Sequence, residues 1–121
     1  MSDKQFRAAH RYARISSRKA RPVADLVRGR AVNAALEELG ACHRRASPML
    51  QKVIRSAMAN ASQDLDVDVN RLFVKDVRVD EGPTLKRWRP RAQGRVFPIL
   101  KRSSHLWVIL AETPAEPEEM D

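Results

Sequence analysis

The chain has 121 residues, with 23 Lys plus Arg against 15 Asp plus Glu and a formal net charge of +8. That length holds one small domain, since a second core needs roughly another 100 residues, and no apolar run nears the roughly 18 residues that span a bilayer. The single cysteine, Cys42, excludes an internal disulfide and a four-ligand zinc staple, and with no signal-peptide pattern the expectation is a soluble intracellular protein.

Only 5% of residues are aromatic, so the core must be built mostly from Ala, Val, Leu and Ile. Residues 6 to 15 are short, basic and turn-free, and read as a strand or extended arm leading into the body. Ser16 and Ser17 offer an N-cap for a helix in which Ala20, Val23, Ala24 and Val27 recur at helical spacing, with Gly29 as its end. Pro22 lies beyond the first turn, which predicts a kink or a late start. A short second helix is expected from an Asn33 N-cap, through Leu36 and Leu39, to a stop at Gly40. The strongest periodicity runs from Ser47, as N-cap with Pro48 at the first helical position, through Leu50, Val53, Ile54, Ala57, Met58, Ala61 and Leu65. From Arg71 the pattern turns to strand chemistry at Leu72, Phe73, Val74, Val77 and Val79, and residues 104 to 111 form another strand-like run. The fold class is therefore α+β: three helices packed on a small three-stranded antiparallel sheet.

Between the last two strands lies the segment of residues 83–102, with seven basic side chains and no acid. Pro83, Pro90 and Pro98 exclude it from a central strand, and it shows no apolar face at period 2 or 3.6 that could lie on the core. A loop this long is usually functional or disordered. As a two-arm ribbon it reaches on the order of 30 Å, and a ribbon of that kind is marginal in water unless something outside the chain holds it. Lys86, Arg87, Arg89, Arg91 and Arg95 surround Trp88, a mixture suited to irregular, unstacked RNA. The bland alternative is a solvated basic loop, though solvated loops mostly mix both signs.

Charge placement points the same way. Residues 112–121 carry five acids and no base, an expected acidic disordered tail, and leave 23 basic against 10 acidic side chains in the body, residues 1–111. Nine of the basic residues fall in the first 30, a second patch that implies a broad, salt-dependent polyanion footprint. Arginine outnumbers lysine 17 to 6, which suits phosphate recognition, although coding bias gives the same ratio.

Ala13-Arg-Ile-Ser-Ser-Arg-Lys-Ala-Arg21, Asp25-Leu-Val-Arg-Gly-Arg30, Val79-Asp-Glu-Gly-Pro83, Leu85-Lys-Arg87, Pro90-Arg-Ala92, Gly94-Arg95 and Lys101-Arg-Ser-Ser-His105 occur in order along the chain. Together they resemble the bacterial family of large-subunit ribosomal protein twenty-two, over about residues 6 to 111. The resemblance implies a long protruding β-hairpin at residues 83–102, and a cytoplasmic structural constituent of the large ribosomal subunit that binds its RNA, supports early assembly and lines the peptide exit tunnel with that hairpin. RNA-binding positions carried over are Arg14, Ser16, Arg18, Lys19, Arg21, Arg28, Arg30, Lys86, Arg87, Arg89, Arg91, Arg95, Lys101, Arg102 and His105. The tunnel tip is Arg87, Trp88, Arg89, Pro90 and Arg91. Implied partners are large-subunit ribosomal RNA, neighbouring ribosomal proteins and the nascent peptide, with no membrane, no cofactor, no metal and no homo-oligomer. The family pattern has Pro after the first Ser of the helix cap; Ser17 stands there instead.

An enzyme is not expected. His10, His43 and His105 are scattered, the four glycines form no phosphate loop, and the adjacent Cys42 and His43 point apart. Asp64, Asp66 and Asp68 have the spacing of a calcium loop, but Val69 and Lys75 occupy its glycine and bidentate-Glu positions, so these acids read as a solvated helix end. The alternative function is a free regulatory protein binding single-stranded nucleic acid.

Overall fold

The computed structural model describes residues 4–112. In chain order they form β1 (Gln5–Ala13), α1 (Ser17–Val27), α2 (Val32–Ala41), α3 (Ala46–Ser62), β2 (Leu72–Glu81), β3 (Leu85–Pro90), β4 (Val96–Lys101) and β5 (Ser104–Glu112). The class is α+β. One antiparallel sheet has the order β1-β5-β2, and β3 and β4 pair separately as a two-stranded ribbon. Glu112 closes β5 opposite Leu72, while the rest of the acidic tail expected from the sequence lies outside the described residues.

The core fills the space between one face of the three-stranded sheet and the helices. Leu106, Val108 and Leu110 of the central strand are fully buried, alternating with half-buried His105, Trp107 and Ile109. On β2 a bulge between Val74 and Asp76 resets the alternation, so that Leu72, Val74, Val77 and Val79 all reach the core. Trp107 lies on the open face, where the Arg11 guanidinium stands 5.4 Å from its ring. α3 lies against β1 and β5, and α1 against β2.

Helix ends differ from the sequence reading in instructive ways. α1 starts directly after Ser16, whose side chain accepts from the Lys19 N–H, and runs through Pro22 without a late start. Full burial of Ala20, Val23, Ala24 and Val27 outweighs the lost helix hydrogen bond. Gly29 takes φ +84° just beyond the end, a conformation that suits glycine. α2 starts at Val32 because Ala31 is held in a bridge to Phe73; Asn33 is thus inside the helix, and Gly40 is passed rather than used as a stop. α3 begins at Ala46 with Arg45 as its cap, and Ser47 is buried in the first turn instead of capping it. Pro48 remains within that turn, where its missing donor is not needed.

The α3 periodicity also overshoots its end: the helix stops at Ser62, and Leu65 stands 96% exposed. The chain turns there because Asp64 accepts from Lys4 Nζ at 2.7 Å and from the Asp66 N–H at 3.0 Å. Asp68 accepts from the Asn70 N–H. Asp64 and Asp66 therefore tie the end of α3 to Lys4 at the start of β1, Asp68 caps the turn that leads into β2, and among the described residues no His, Cys, Asp and Glu cluster can hold a metal ion.

The β3–β4 ribbon is exposed along its length. Its paired arms of six residues span about 20 Å, shorter than expected because the segment's ends belong to the root and the tip. The tip is a turn in which Gln93 and Gly94 have φ of +66° and +72°, closed by the Arg91 N–H donating to the Arg95 carbonyl at 2.6 Å.

This division of labour sets two expectations. Deleting Lys86–Arg95 is expected to leave one cooperative unfolding transition, whereas Ile54→Ala, at a fully buried site, is expected to cost about 2–5 kcal/mol. Urea denaturation checks both, and loss of cooperativity on the deletion would show that the ribbon supports the core. The Lys4 hydrogen bond is the main cause that lowers the Asp64 pKa below its ordinary 3.8 and raises that of Lys4. A depressed carboxyl stabilises the fold above its unfolded pKa and loses that contribution as pH falls through the folded value. Lys4→Met is expected to move the Asp64 titration upward in carbon-detected NMR; an unmoved midpoint would mean that the pair does not form in solution.

Candidate nucleic-acid interface

The interface is assembled where β1 ends. Between His10 and Ala13 the register of β1 against β5 shifts, and Tyr12 takes φ +60°, a left-handed conformation uncommon for a bulky residue. It is held by its N–H donating to His105 Nδ1 at 3.0 Å and by an edge-to-face ring contact at 4.8 Å. This irregularity ends the strand and leads the chain through Arg14 to the Ser16 cap of α1.

Beside that junction lies an open hollow of about 1260 Å³, lined by Arg14, Arg18, Lys19, Arg21, Arg44, Arg45, Lys101 and Arg102, together with Ser16, Gly82, Thr84, Leu100 and Ser103. Eight cationic side chains share it with one acid, Glu81. The N-terminus of α1 also borders it, adding the positive end of a helix dipole. Arg21 is partly tied down, donating to the Val79 carbonyl at 3.3 Å. Such a surface has the charge density and breadth to take several phosphates at once.

The floor of the hollow is the root of the ribbon, and it is a clasp. The Gly82 N–H donates to the Ser103 carbonyl at 2.9 Å, and the Ser103 hydroxyl donates to the Pro83 carbonyl at 2.7 Å. A side chain at position 82 would place its Cβ 2.6 Å from Ser103 Oγ and 3.3 Å from His105 Cε1, so any larger residue here must displace the Ser103 hydroxyl.

Of the positions expected to meet RNA, Arg14, Ser16, Arg18, Lys19, Arg21, Lys101 and Arg102 come together here. Lys86, Arg87, Arg89, Arg91 and Arg95 are carried outward on the exposed ribbon; of the expected tip, Arg87, Trp88, Arg89 and Pro90 lie along β3 and Arg91 enters the turn. Arg28, Arg30 and His105 do not line the hollow. Arg28 is bound to Asp25 at 2.5 Å, to Asp76 at 3.4 Å and to the Val77 carbonyl at 2.6 Å, fastening the end of α1 to β2. Arg30 pairs with Glu38 at 3.7 Å. His105 is half-buried under the clasp, engaged with Tyr12.

The family description "Ribosomal protein L22p/L17e" matches residues 8–111. The chain belongs to this family. Two relatives, each described as large ribosomal subunit protein uL22, come from Syntrophobacter fumaroxidans and Bdellovibrio bacteriovorus. The first is 51% identical and the second 48%, each over 108 residues that cover 89% of this chain and 98% of the relative. The resemblance read from the motifs is thereby borne out: this is a bacterial-type member of the L22p/L17e family, a structural ribosomal protein and not an enzyme.

Sequence reasoning missed Arg44 and Arg45. Their signal is a pair of adjacent bases in the short connection before α3, too short a run to stand out beside the longer basic segments at residues 4–30 and 86–102. Cys42, in the same connection, has its thiol pKa lowered by the Ser47 hydroxyl and then by the Arg44 backbone, not by His43. The clasp generates an expectation of its own. Gly82→Ala should push Ser103 off Pro83 and cost roughly 1 kcal/mol, one hydrogen bond, while in a Ser103→Ala background it should cost clearly less. A double-mutant cycle by urea denaturation reads the difference, and additive effects would show that the two residues do not meet.

Proposed function

We propose that the protein is a structural constituent of the large ribosomal subunit, in the bacterial cytoplasm, that binds large-subunit ribosomal RNA. The observation that carries this reading is the cationic hollow at the root of an acid-free ribbon, eight bases against one acid drawn from four separate parts of the chain. No single helix or strand presents these charges. A regular duplex offers a uniform surface to one inserted element, whereas a bent hollow next to a projecting ribbon suits RNA that is itself folded. Family membership and the names of both relatives support the ribosomal setting.

In this reading the roles divide by position. Arg14, Arg18, Lys19, Arg21, Arg44, Arg45, Lys101 and Arg102 neutralise phosphates around the hollow, and Ser16 fixes the α1 end that points into it. Arg28 and Arg30 act mainly as internal ties. Lys86, Arg87, Arg89, Arg91 and Arg95 carry positive charge along the ribbon, which threads between RNA segments, and its tip from Arg91 to Arg95 forms part of the exit-tunnel wall beside the nascent peptide. An ordered domain that holds RNA segments together from the outset supports early assembly. The protein acts as a single copy, with neighbouring large-subunit proteins as its other partners.

The competing reading is a free regulatory protein that binds single-stranded nucleic acid. Sucrose-gradient sedimentation of a lysate separates the two. The protein is expected with large subunits and with their assembly precursors, retained through a moderate-salt wash, and its recovery only at the top of the gradient would overturn the ribosomal assignment.

A further inference from the structure

The ribbon has two unlike faces, and neither arm alone reveals them. Directly opposed residues of an antiparallel pair project to the same side. Lys86, Trp88 and Pro90 are opposed by Leu100, Pro98 and Val96, whereas Arg87 and Arg89 are opposed by Ile99 and Phe97. One side is therefore an apolar strip with a lysine near its inner end; the other carries the guanidinium groups, joined by Arg91, which lies 5.9 Å over the Phe97 ring. The strip is open, with Trp88 63% exposed. It is also continuous with the cationic hollow, since Leu100 lines both.

We propose that the Trp88 strip is a stacking platform for unpaired RNA bases, and that the Arg87 and Arg89 face takes the phosphates of a second RNA segment. The proposal rests on the reading of the ribbon as an RNA-bound element and assigns its two sides. Charge selects the occupant. Residues 83–102 hold seven bases and no acid, so a second copy of this chain would bring like charges together, while a strand leaving the hollow carries the complementary sign. An RNA strand also supplies what an apolar strip needs, because every base has a flat π-face and the stacking is tolerant of sequence. Pro98 opposite the indole widens the platform without offering a competing polar group.

The test uses the full chain and two probes of equal charge: an oligoadenylate of about ten nucleotides and a length-matched abasic ribose-phosphate strand. Binding is read by anisotropy of the labelled strand. The parent is expected to prefer oligoadenylate by at least about fivefold, the equivalent of one stacked base. Trp88→Ala should abolish that preference and leave the salt dependence unchanged. Arg87→Gln with Arg89→Gln should keep the preference and lower the slope of log affinity against log salt by roughly 1.4. In a Trp107→Phe chain, where Trp88 is the one remaining indole, its emission should be quenched by oligoadenylate and not by the abasic strand. Equal binding of both strands, or a preference that survives Trp88→Ala, would overturn the stacking platform while leaving the RNA reading intact. Affinities for both strands that no ribbon substitution changes would overturn the RNA reading of the ribbon itself.

Discussion

The buried hydroxyl of Ser104 is the joint on which the rest of the structure depends. It donates to the Ile15 carbonyl at 2.6 Å, and the residue is fully enclosed. At the same point in β5, Ser104 stands opposite Ala13 of β1 and Glu81 of β2. One residue therefore fixes where the N-terminal strand ends, where the ribbon leaves the sheet and where it returns. The basic residues that follow Ala13 and the basic residues that precede Ser104 are neighbours for that reason, although about ninety positions separate them in the chain. An unpaired hydroxyl at such a site would cost on the order of 1–3 kcal/mol, so the joint resists slippage of either strand.

A consequence is that the domain separates holding from touching. The apolar faces of β2, β5 and α3 bury one another and owe nothing to the ribbon, which has no buried side chain along either of its arms. The ribbon in turn inherits its direction from the Gly82–Ser103 clasp and its shape from six opposed residue pairs. Its own ladder is too small to be independently stable. Stability is thus local to the body, and conformational freedom is local to the ribbon.

Much of the fold was legible because its signals are periodic. The apolar stripe of α3 and the alternation of β5 each report a buried face directly. The errors fall where tertiary contacts overrule local preference. Asn33 is a better cap than Ala31, yet the bridge from Ala31 to Phe73 decides where α2 begins. Leu65 continues a helical period, yet the Lys4 to Asp64 pair turns the chain before reaching it. At the site, the two ends of the chain were readable as basic runs, but their convergence was not, since the register of β5 against both neighbours creates it. Arg28 and Arg30 show the converse: bases in the same run that pair with Asp25, Asp76 and Glu38 and do not line the hollow. The two faces of the ribbon were illegible for a simpler reason, namely that the pattern exists only after β3 and β4 are placed in register.

The electrostatic logic follows from the same joint. Folding gathers eight cations around a hollow with one acid, and such crowding opposes the compact state through mutual repulsion. The fold tolerates it because the charges ring an open, hydrated concavity, where screening acts within about 10 Å, while the apolar residues that drive folding lie under the helices. A polyanion placed in the hollow reverses the sign of this interaction and releases its own counterions as it does so. Polyanion binding and folding would then favour each other: a polyanion removes a repulsion that the folded state alone must bear, and the folded state supplies a charge arrangement that the unfolded chain lacks. Glu81, the lone acid of the hollow, sits at the end of β2 opposite Ser104, so even this exception is placed by the joint that assembles the site.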